Sequence, residues 1–299
     1  MWLDMKTKGI ILAAGKGTRL MPATLPASKP LLPLYDKPMI YYPLETLIRI
    51  GIREILFIVQ EDDLPIFQKT FGSGEEVGLN FSYKIQKVQR GISDAYFIAE
   101  DYLNGSSSVL ALSDNIFLGK NYFSYAEQAL NKMEKIGSSV FGLPVPDPEK
   151  FGVIELDNNE NIIGIEEKPI KPKSNLIIPG MYFFDSNACK LAKTLKPSDR
   201  GELEITDLIQ IYLSQNKLAL QRLDETIVWH DTGNADALLL AAQKVKNYEI
   251  DNKIKMGSYE IASYEKGFID KDGLLKIAQK FSKSDYGQYI KDVYLSGVN

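Results

Sequence analysis

Apolar residues in this chain gather in short continuous runs separated by amphipathic stretches, a pattern that predicts buried strands alternating with helices. Residues 9–13 form an apolar strand that runs straight into a Gly-rich turn at 14–19. Residues 54–59 and 109–112 read as buried strands, the second ending at Ser113-Asp114-Asn115, and residues 80–86 alternate as a strand. Between them, a helix is expected from Lys37-Pro38 to Ile50. Pro38 would sit in its first turn, where the missing N–H costs nothing, and Gly51 would stop it. Ser93 reads as the N-cap of a helix running to residue 102, and residues 122–135 as another, followed by a strand at 138–143.

The texture changes at Pro144-Val145-Pro146-Asp147-Pro148, where three prolines in five residues mark a rigid connector. Strands follow without intervening helices: 151–156, a turn at 157–159, then 162–166. Such a hairpin implies either antiparallel additions to a parallel sheet or a subdomain beside it. A strand at 177–184, helices at 205–214 and 235–249, and a strand at 218–223 complete this part. The last fifty residues read as helical with weak periodicity, and no internal repeat or low-complexity tract is present. The expected fold is α/β: a Rossmann-like mixed, mostly parallel sheet flanked by helices, with a β-hairpin subdomain and a helical C-terminal extension.

Composition narrows the chemistry. With one Cys and one His among 299 residues, neither an internal disulfide nor a Cys/His zinc site can be built. A Ser-His-Asp triad would have to run through His230, and the chain has no Gly-x-Ser-x-Gly elbow. Thirty-five Lys and Arg against 39 Asp and Glu give a net charge of −4, which argues against nucleic-acid or membrane binding by bulk charge. An anionic substrate must then be gripped by a few local cations. No apolar run approaches the ~18 residues of a membrane span. Residues 1–8 are too charged for a signal peptide, so a soluble, reduced, cytoplasmic protein is expected.

Four segments carry candidate chemistry. In Leu12-Ala13-Ala14-Gly15-Lys16-Gly17-Thr18-Arg19-Leu20, a strand feeds a turn whose backbone N–H groups can cradle phosphate oxygens. It is not a Walker A loop, and the third Gly of a dinucleotide fingerprint would fall on Leu20. The glycines alone fit a flexible turn as well; Lys16 and Arg19 shift the reading toward an anion. In Ser28-Lys29-Pro30, Lys29 is either a solvated loop charge or a second cation for phosphoryl or nucleotidyl transfer. Asp114 follows an apolar strand and Asp231 a shorter one. Each is either part of a turn or a carboxylate at the crevice of an open sheet, where Asp commonly holds Mg²⁺. In Glu166-Glu167-Lys168-Pro169, the acids and the Lys form either a solvated cluster or a pair in which Lys168 binds phosphate and Glu167 accepts sugar hydroxyls.

Residues 8–20 and 28–44 (SKPLLPLYDKPMIYYPL) closely resemble the sugar-1-phosphate nucleotidylyltransferases. The likeness continues through 112–117, 151–153, 166–169, 200–207, 231–233 and 266–270. It is greatest for the branch that joins dTTP to glucose 1-phosphate, releases pyrophosphate and feeds deoxysugar and polysaccharide biosynthesis. The resemblance implies that nucleotide is bound by Leu12, Ala14, Gly15, Gly17, Thr18, Arg19, Lys29, Gln86 and Gly91, with Arg19 and Lys29 as catalytic cations. It places the sugar phosphate on Asn115, Gly152, Glu167, Lys168, Ile178, Tyr182 and Arg200, and Mg²⁺ on Asp114 and Asp231. It implies a nucleotide part at about 1–143, a sugar-phosphate part at about 144–250 that includes the hairpin, an extension at 251–299, and a homotetramer.

This sequence also departs from the family pattern. Ala14 replaces the usual second Gly, Lys16 a small residue, and Pro30 a Gln; Gly91-Ile92-Ser93-Asp94-Ala95 replaces Gly-Leu-Ala-Gln-Ala. The family's second, regulatory nucleotide-sugar site is matched at 260–262 but not at 118–121 or 264–265. The competing readings are a UTP-dependent uridylyltransferase and a silent regulatory homologue. The second predicts loss of Arg19, Lys29 or a metal Asp, and all are present.

Overall fold

A computed structural model describes residues 7–295; the N-terminal residues 1–6, part of the stretch read as too charged for a signal peptide, lie outside that range. β1 (Lys8–Leu12) runs into the Gly-rich turn, and two two-residue strands, β2 (Pro33–Leu34) and β3 (Lys37–Pro38), pair as a hairpin before α1 (Tyr41–Arg49). β4 (Glu54–Val59), α2 (Leu64–Phe71), β5 (Asn80–Ile85), α3 (Asp94–Ile98), α4 (Glu100–Leu103) and β6 (Ser108–Leu112) follow. β5, β4, β1 and β6 lie side by side, all parallel. Their carboxyl ends therefore share one edge, which is where an open sheet forms its crevice.

The chain then leaves the parallel pattern. β7 (Asn115–Leu118), α5 (Tyr122–Ile136) and β8 (Ser138–Pro144) lead to the hairpin β9 (Gly152–Leu156) and β10 (Ile162–Glu167), then to β11 (Leu176–Ile178) and β12 (Met181–Phe184). After α6 (Ala188–Ala192) and α7 (Ile205–Ser214), β13 (Leu218–Arg222) pairs parallel with β8, and β14 (Val228–Asp231) pairs antiparallel with β7 in a ribbon off the main sheet. The hairpin joins the main sheet through β11, so the first of the two expected arrangements holds. α8 (Ala235–Asn252), α9 (Tyr259–Glu265), α10 (Lys271–Lys280), α11 (Asp285–Ile290) and a wide turn at Lys291–Leu295 form the helical extension. No helix among the described residues is long and apolar enough to cross a membrane.

Successive strand residues point to opposite faces, and both faces are buried. Ile11, Phe57 and Val109 pack beneath α1, α5 and the C-terminal helices; Ile10, Leu56 and Leu110 pack against Tyr96, Leu208 and Tyr212 of α3 and α7.

Three expectations need correction, and one helix has no sequence expectation at all. The helix expected from Lys37 begins at Tyr41: Lys37 and Pro38 are held in the hairpin, and Pro43 is the proline in the first turn. The helix expected from 93 to 102 is two short ones, and Ser93 does not cap it, because its hydroxyl donates to the Glu204 carbonyl at 2.9 Å. The strand expected at 177–184 breaks at Pro179-Gly180, so that β12 lies beside β6 while β11 lies beside β9. α2 was not foreseen; Phe67 and Phe71, one helical turn apart, bury on Phe57.

Candidate active site

The turn after β1 is anchored at its start and open at its tip. Ala13 N–H donates to the Ile58 carbonyl at 2.8 Å, and Ala14 is buried. The N–H groups of Gly15, Lys16 and Gly17 find no acceptor among the described residues. At Gly17, φ is +59° and a Cβ would stand 2.9 Å from Thr24 and 3.0 Å from Lys29, so only Gly fits. Thr18–Leu20 then forms a single 3₁₀ turn that carries Arg19 across the crevice to the backbone of Gly233.

Two carboxylates meet opposite this turn. Asp114 follows β6, and Asp231 ends β14 with Asn115 as its ladder partner. Lys29, buried, places Nζ 2.5 Å from Asp114 Oδ2. Asn115 ties the region together: Nδ2 donates to Asp114 Oδ1 at 3.0 Å, while Oδ1 accepts from Gly180 N–H at 2.9 Å and Trp229 Nε1 at 2.7 Å. Gly180 lies too close to Asn115 for any side chain, so only Gly fits at the break between β11 and β12. Burial, and then the Asp114 charge, push the Asp231 carboxyl above its ordinary value; Lys29, Arg19 and Lys168 pull it down. Three cations thus converge on this carboxylate pair.

The cleft, of about 450 Å³, continues from Arg19, Asp114 and Asp231 to Glu167, Lys168 and Tyr182, within the roughly 300–1,000 Å³ usual for small-molecule sites. Glu167 ends β10, where Oε2 accepts from the Thr206 hydroxyl at 3.1 Å and Oε1 lies 3.6 Å from Lys168 Nζ. Gly152 faces Glu167 across the ladder, and a Cβ there would stand 2.7 Å from Thr206. Ile178 and Tyr182 form the buried floor. Burial, followed by Glu167 and Asp114, pushes the Tyr182 phenol far above its ordinary value, so it is a neutral hydroxyl.

Beyond the cleft, Gln86 lies just past the carboxyl end of β5, its N–H bonded to the Val59 carbonyl at 2.9 Å. Gly91, at φ +104°, is pressed against Leu203, and Leu203 N–H donates to the Arg90 carbonyl at 2.6 Å. This loop is therefore clamped to the segment before α7. Gln89 Nε2 also donates to the Ala14 carbonyl, joining the loop to the Gly-rich turn.

The structure brings Arg19, Asp114, Asn115, Gly152, Glu167, Lys168, Ile178, Tyr182 and Asp231 to one cleft. Lys29 joins through Asp114. Leu12, Ala14, Gly15, Gly17 and Thr18 form the adjoining turn, and Gln86 and Gly91 the far edge. Arg200 stands at the rim, bridging Glu167 at 3.4 Å and Glu202 at 3.0 Å. His230 lies on the opposite face of β14 from Trp229 and Asp231 and does not line the cleft, so no triad forms. Sequence reasoning missed Trp229, which shares the crevice face of β14 with Asp231 by strand alternation, and Thr206 and Gln89, whose partners are distant in sequence. A larger cavity of about 750 Å³, lined by Glu76, Phe268 and Lys280, contains none of these residues.

The family model for nucleotidyl transferases matches residues 8–248. The glucose-1-phosphate thymidylyltransferase of Mycolicibacterium smegmatis is 42% identical over 284 residues, 95% of this chain and 97% of that protein. Its counterpart in Neisseria gonorrhoeae is 43% identical over 283 residues, 95% of this chain and 98% of that protein. A crystal structure from Bacillus anthracis, of a candidate glucose-1-phosphate thymidylyltransferase with sucrose bound, is 38% identical with a TM-score of 0.73 and covers 80% of this chain and 95% of its own. A UDP-glucose pyrophosphorylase bound to UDP-glucose, 23% identical with a TM-score of 0.71 over 81% of this chain and 99% of its own, shares the fold.

Proposed function

The chain belongs to the nucleotidyl transferase family, and from that premise we propose that it transfers the thymidylyl group of dTTP to glucose 1-phosphate, releasing pyrophosphate. The observation that carries this reading is the convergence of Arg19, Lys29, Asp114 and Asp231, from four separate segments, on one cleft beside an open N–H turn. In this reading residues 1–143 hold the nucleotide and 144–250 the sugar phosphate, with 251–299 as an extension.

The reaction asks little proton chemistry of the protein. A sugar-phosphate oxygen attacks the α-phosphorus in line, a new P–O bond forms, and the bond to the β-phosphate oxygen breaks with its electron pair leaving on pyrophosphate. A phosphate monoester is already anionic at neutral pH, so no general base is required, which suits a chain whose single His faces away from the cleft. The turn N–H groups cradle the triphosphate, Arg19 and Lys29 oppose the charge that builds on it, and Lys168 holds the incoming phosphate. Tyr182, as a neutral phenol, and Glu167 position sugar hydroxyls.

Asp114 and Asp231 fit Mg²⁺: they are two adjacent hard-oxygen ligands, the number that this ion usually takes from protein when substrate phosphates supply others. Among the described residues no cluster of three or more acidic, His or Cys ligands offers an alternative. When bound, Mg²⁺ supplies positive charge to the triphosphate. The reading carries with it a cytoplasmic homotetramer, which light scattering tests for assembly.

The deciding experiment is pyrophosphate release with glucose 1-phosphate and each of dTTP, UTP, dCTP and dATP. Thymine and uracil differ by one methyl group, which an apolar contact discriminates by roughly 10–200-fold. A kcat/KM ratio of dTTP to UTP in that range is expected. Clear preference for UTP would make the protein a uridylyltransferase, and absence of turnover would make it a silent homologue.

A further inference from the structure

The base-side loop contains a buried carboxylate that the proposed reaction does not use. Asp94 opens α3 and is 2% exposed. Its Oδ1 accepts from Arg90 Nε at 3.0 Å and from another guanidinium nitrogen at 2.6 Å; its Oδ2 accepts from Gln86 Nε2 at 3.0 Å. Arg90 is itself held over the Phe97 ring at 5.4 Å. The two oxygens of Asp94 are therefore divided between a cation and an amide. A carboxylate paired with a guanidinium only accepts hydrogen bonds, so the Gln86 amide must turn its nitrogen toward Asp94. Its Oε1 and second N–H have no protein partner among the described residues.

We propose that Asp94 is a positioning residue that locks the orientation of the Gln86 amide and thereby selects bases presenting a ring N–H beside a ring carbonyl. The inference rests on the nucleotide-transfer reading, in which Gln86 faces the base. Held this way, Gln86 accepts from N3–H of thymine or uracil and donates to the neighbouring carbonyl. Cytosine presents a bare ring nitrogen and an amino group along the same edge, so both contacts are opposed. Adenine presents the same opposed pair.

Asp94→Asn is the direct test, because Asn can accept from Gln86 Nε2 or donate to a flipped Oε1, which frees the lock without changing shape. Binding of dTTP and of dCTP, each with Mg²⁺, is measured by calorimetry for the full wild-type chain and the variant. The wild type should favour dTTP, and the variant should narrow the dTTP-to-dCTP ratio by about tenfold to a hundredfold, with dCTP gaining as dTTP weakens. A merely structural Asp94 would weaken both nucleotides alike, and an unchanged ratio overturns its role. A wild type that binds the two nucleotides equally overturns the nucleotide reading together with this one. Should Asp94→Asn not fold, Asp94→Ser, whose hydroxyl can either accept from or donate to the Gln86 amide, should also narrow the ratio; an unchanged ratio there overturns the proposal.

Discussion

Asp231 is the residue on which the local electrostatics turn. Burial and Asp114 both disfavour its charge, and only Lys29, Arg19 and Lys168 relieve it. Asp114→Asn and Asp231→Asn should each reduce Mg²⁺-dependent pyrophosphate release by at least about a hundredfold while leaving the fold intact by circular dichroism. Manganese binding in the presence of dTTP should fall in parallel, and unimpaired activity in either variant would place the metal elsewhere. Lys168 and Arg19 should separate kinetically. Lys168→Ala should mainly raise KM for glucose 1-phosphate, because its partner phosphate carries charge before and during reaction. Arg19→Ala should mainly lower kcat, because in the proposed reaction it opposes the charge that accumulates; the reverse pattern would exchange the two roles. Asp114, Asp231 and the cations could be read from the sequence because each stands at the end of an apolar run or inside a distinctive turn. Asn115 is different. Its hydrogen bonds to Gly180 and Trp229 tie two distant segments to the neighbouring Asp114, and nothing local announces that organising role.

Strands were the most legible elements, because a run such as 54–59 is apolar at successive positions and can only be buried on both faces. Lys37-Pro38, the second strand of the 33–38 hairpin, reads in sequence as a helix start because Pro38 suits either; what decides is Tyr35 at φ +67°, a backbone state that no sequence rule assigns to Tyr. The clamp between the loop at 86–91 and the segment before α7 is equally hidden, since it depends on backbone approach. At Gly91 a Cβ would lie 2.5 Å from the Leu203 carbonyl oxygen. Gly91→Ala should therefore destabilise the fold by at least about 2 kcal/mol and weaken nucleotide binding more than sugar-phosphate binding. Urea titration and calorimetry check both parts, and a wild-type midpoint would show that the clamp yields easily.

The C-terminal helices add a buried polar seam to the whole molecule. α9 lies against α1, with Tyr259 edge-on to Tyr41 at 4.8 Å and Glu260 sealed between them, its Oε2 accepting from Tyr286 of α11 at 2.9 Å. Burial pushes the Glu260 carboxyl up from 4.5 to about 7, although its own backbone N–H, Tyr286, Lys37 and Tyr259 all favour the ionised form. The folded chain therefore keeps a proton that the unfolded chain releases between those two values. Stability should fall as pH rises through that window and level off above it. Glu260→Gln keeps an acceptor for Tyr286 without the charge, and should remove of order 3 kcal/mol of that pH dependence. Urea midpoints at pH 5 and pH 8 test this: wild type should lose clearly more stability between them than the variant does. Equal pH slopes would mean that Glu260 ionises freely in the fold.

The ribbon of β7 and β14 has a consequence for the order in which a growing chain acquires function. Every strand of the main sheet has been synthesised by Arg222, yet Asp231 comes after it and pairs only with β7. In a growing chain the Gly-rich turn, both cations and Asp114 therefore emerge before the second carboxylate of the pair, and the helices that bury one face of the sheet emerge later still, so carboxylate pair and core are completed together by the last quarter of the sequence.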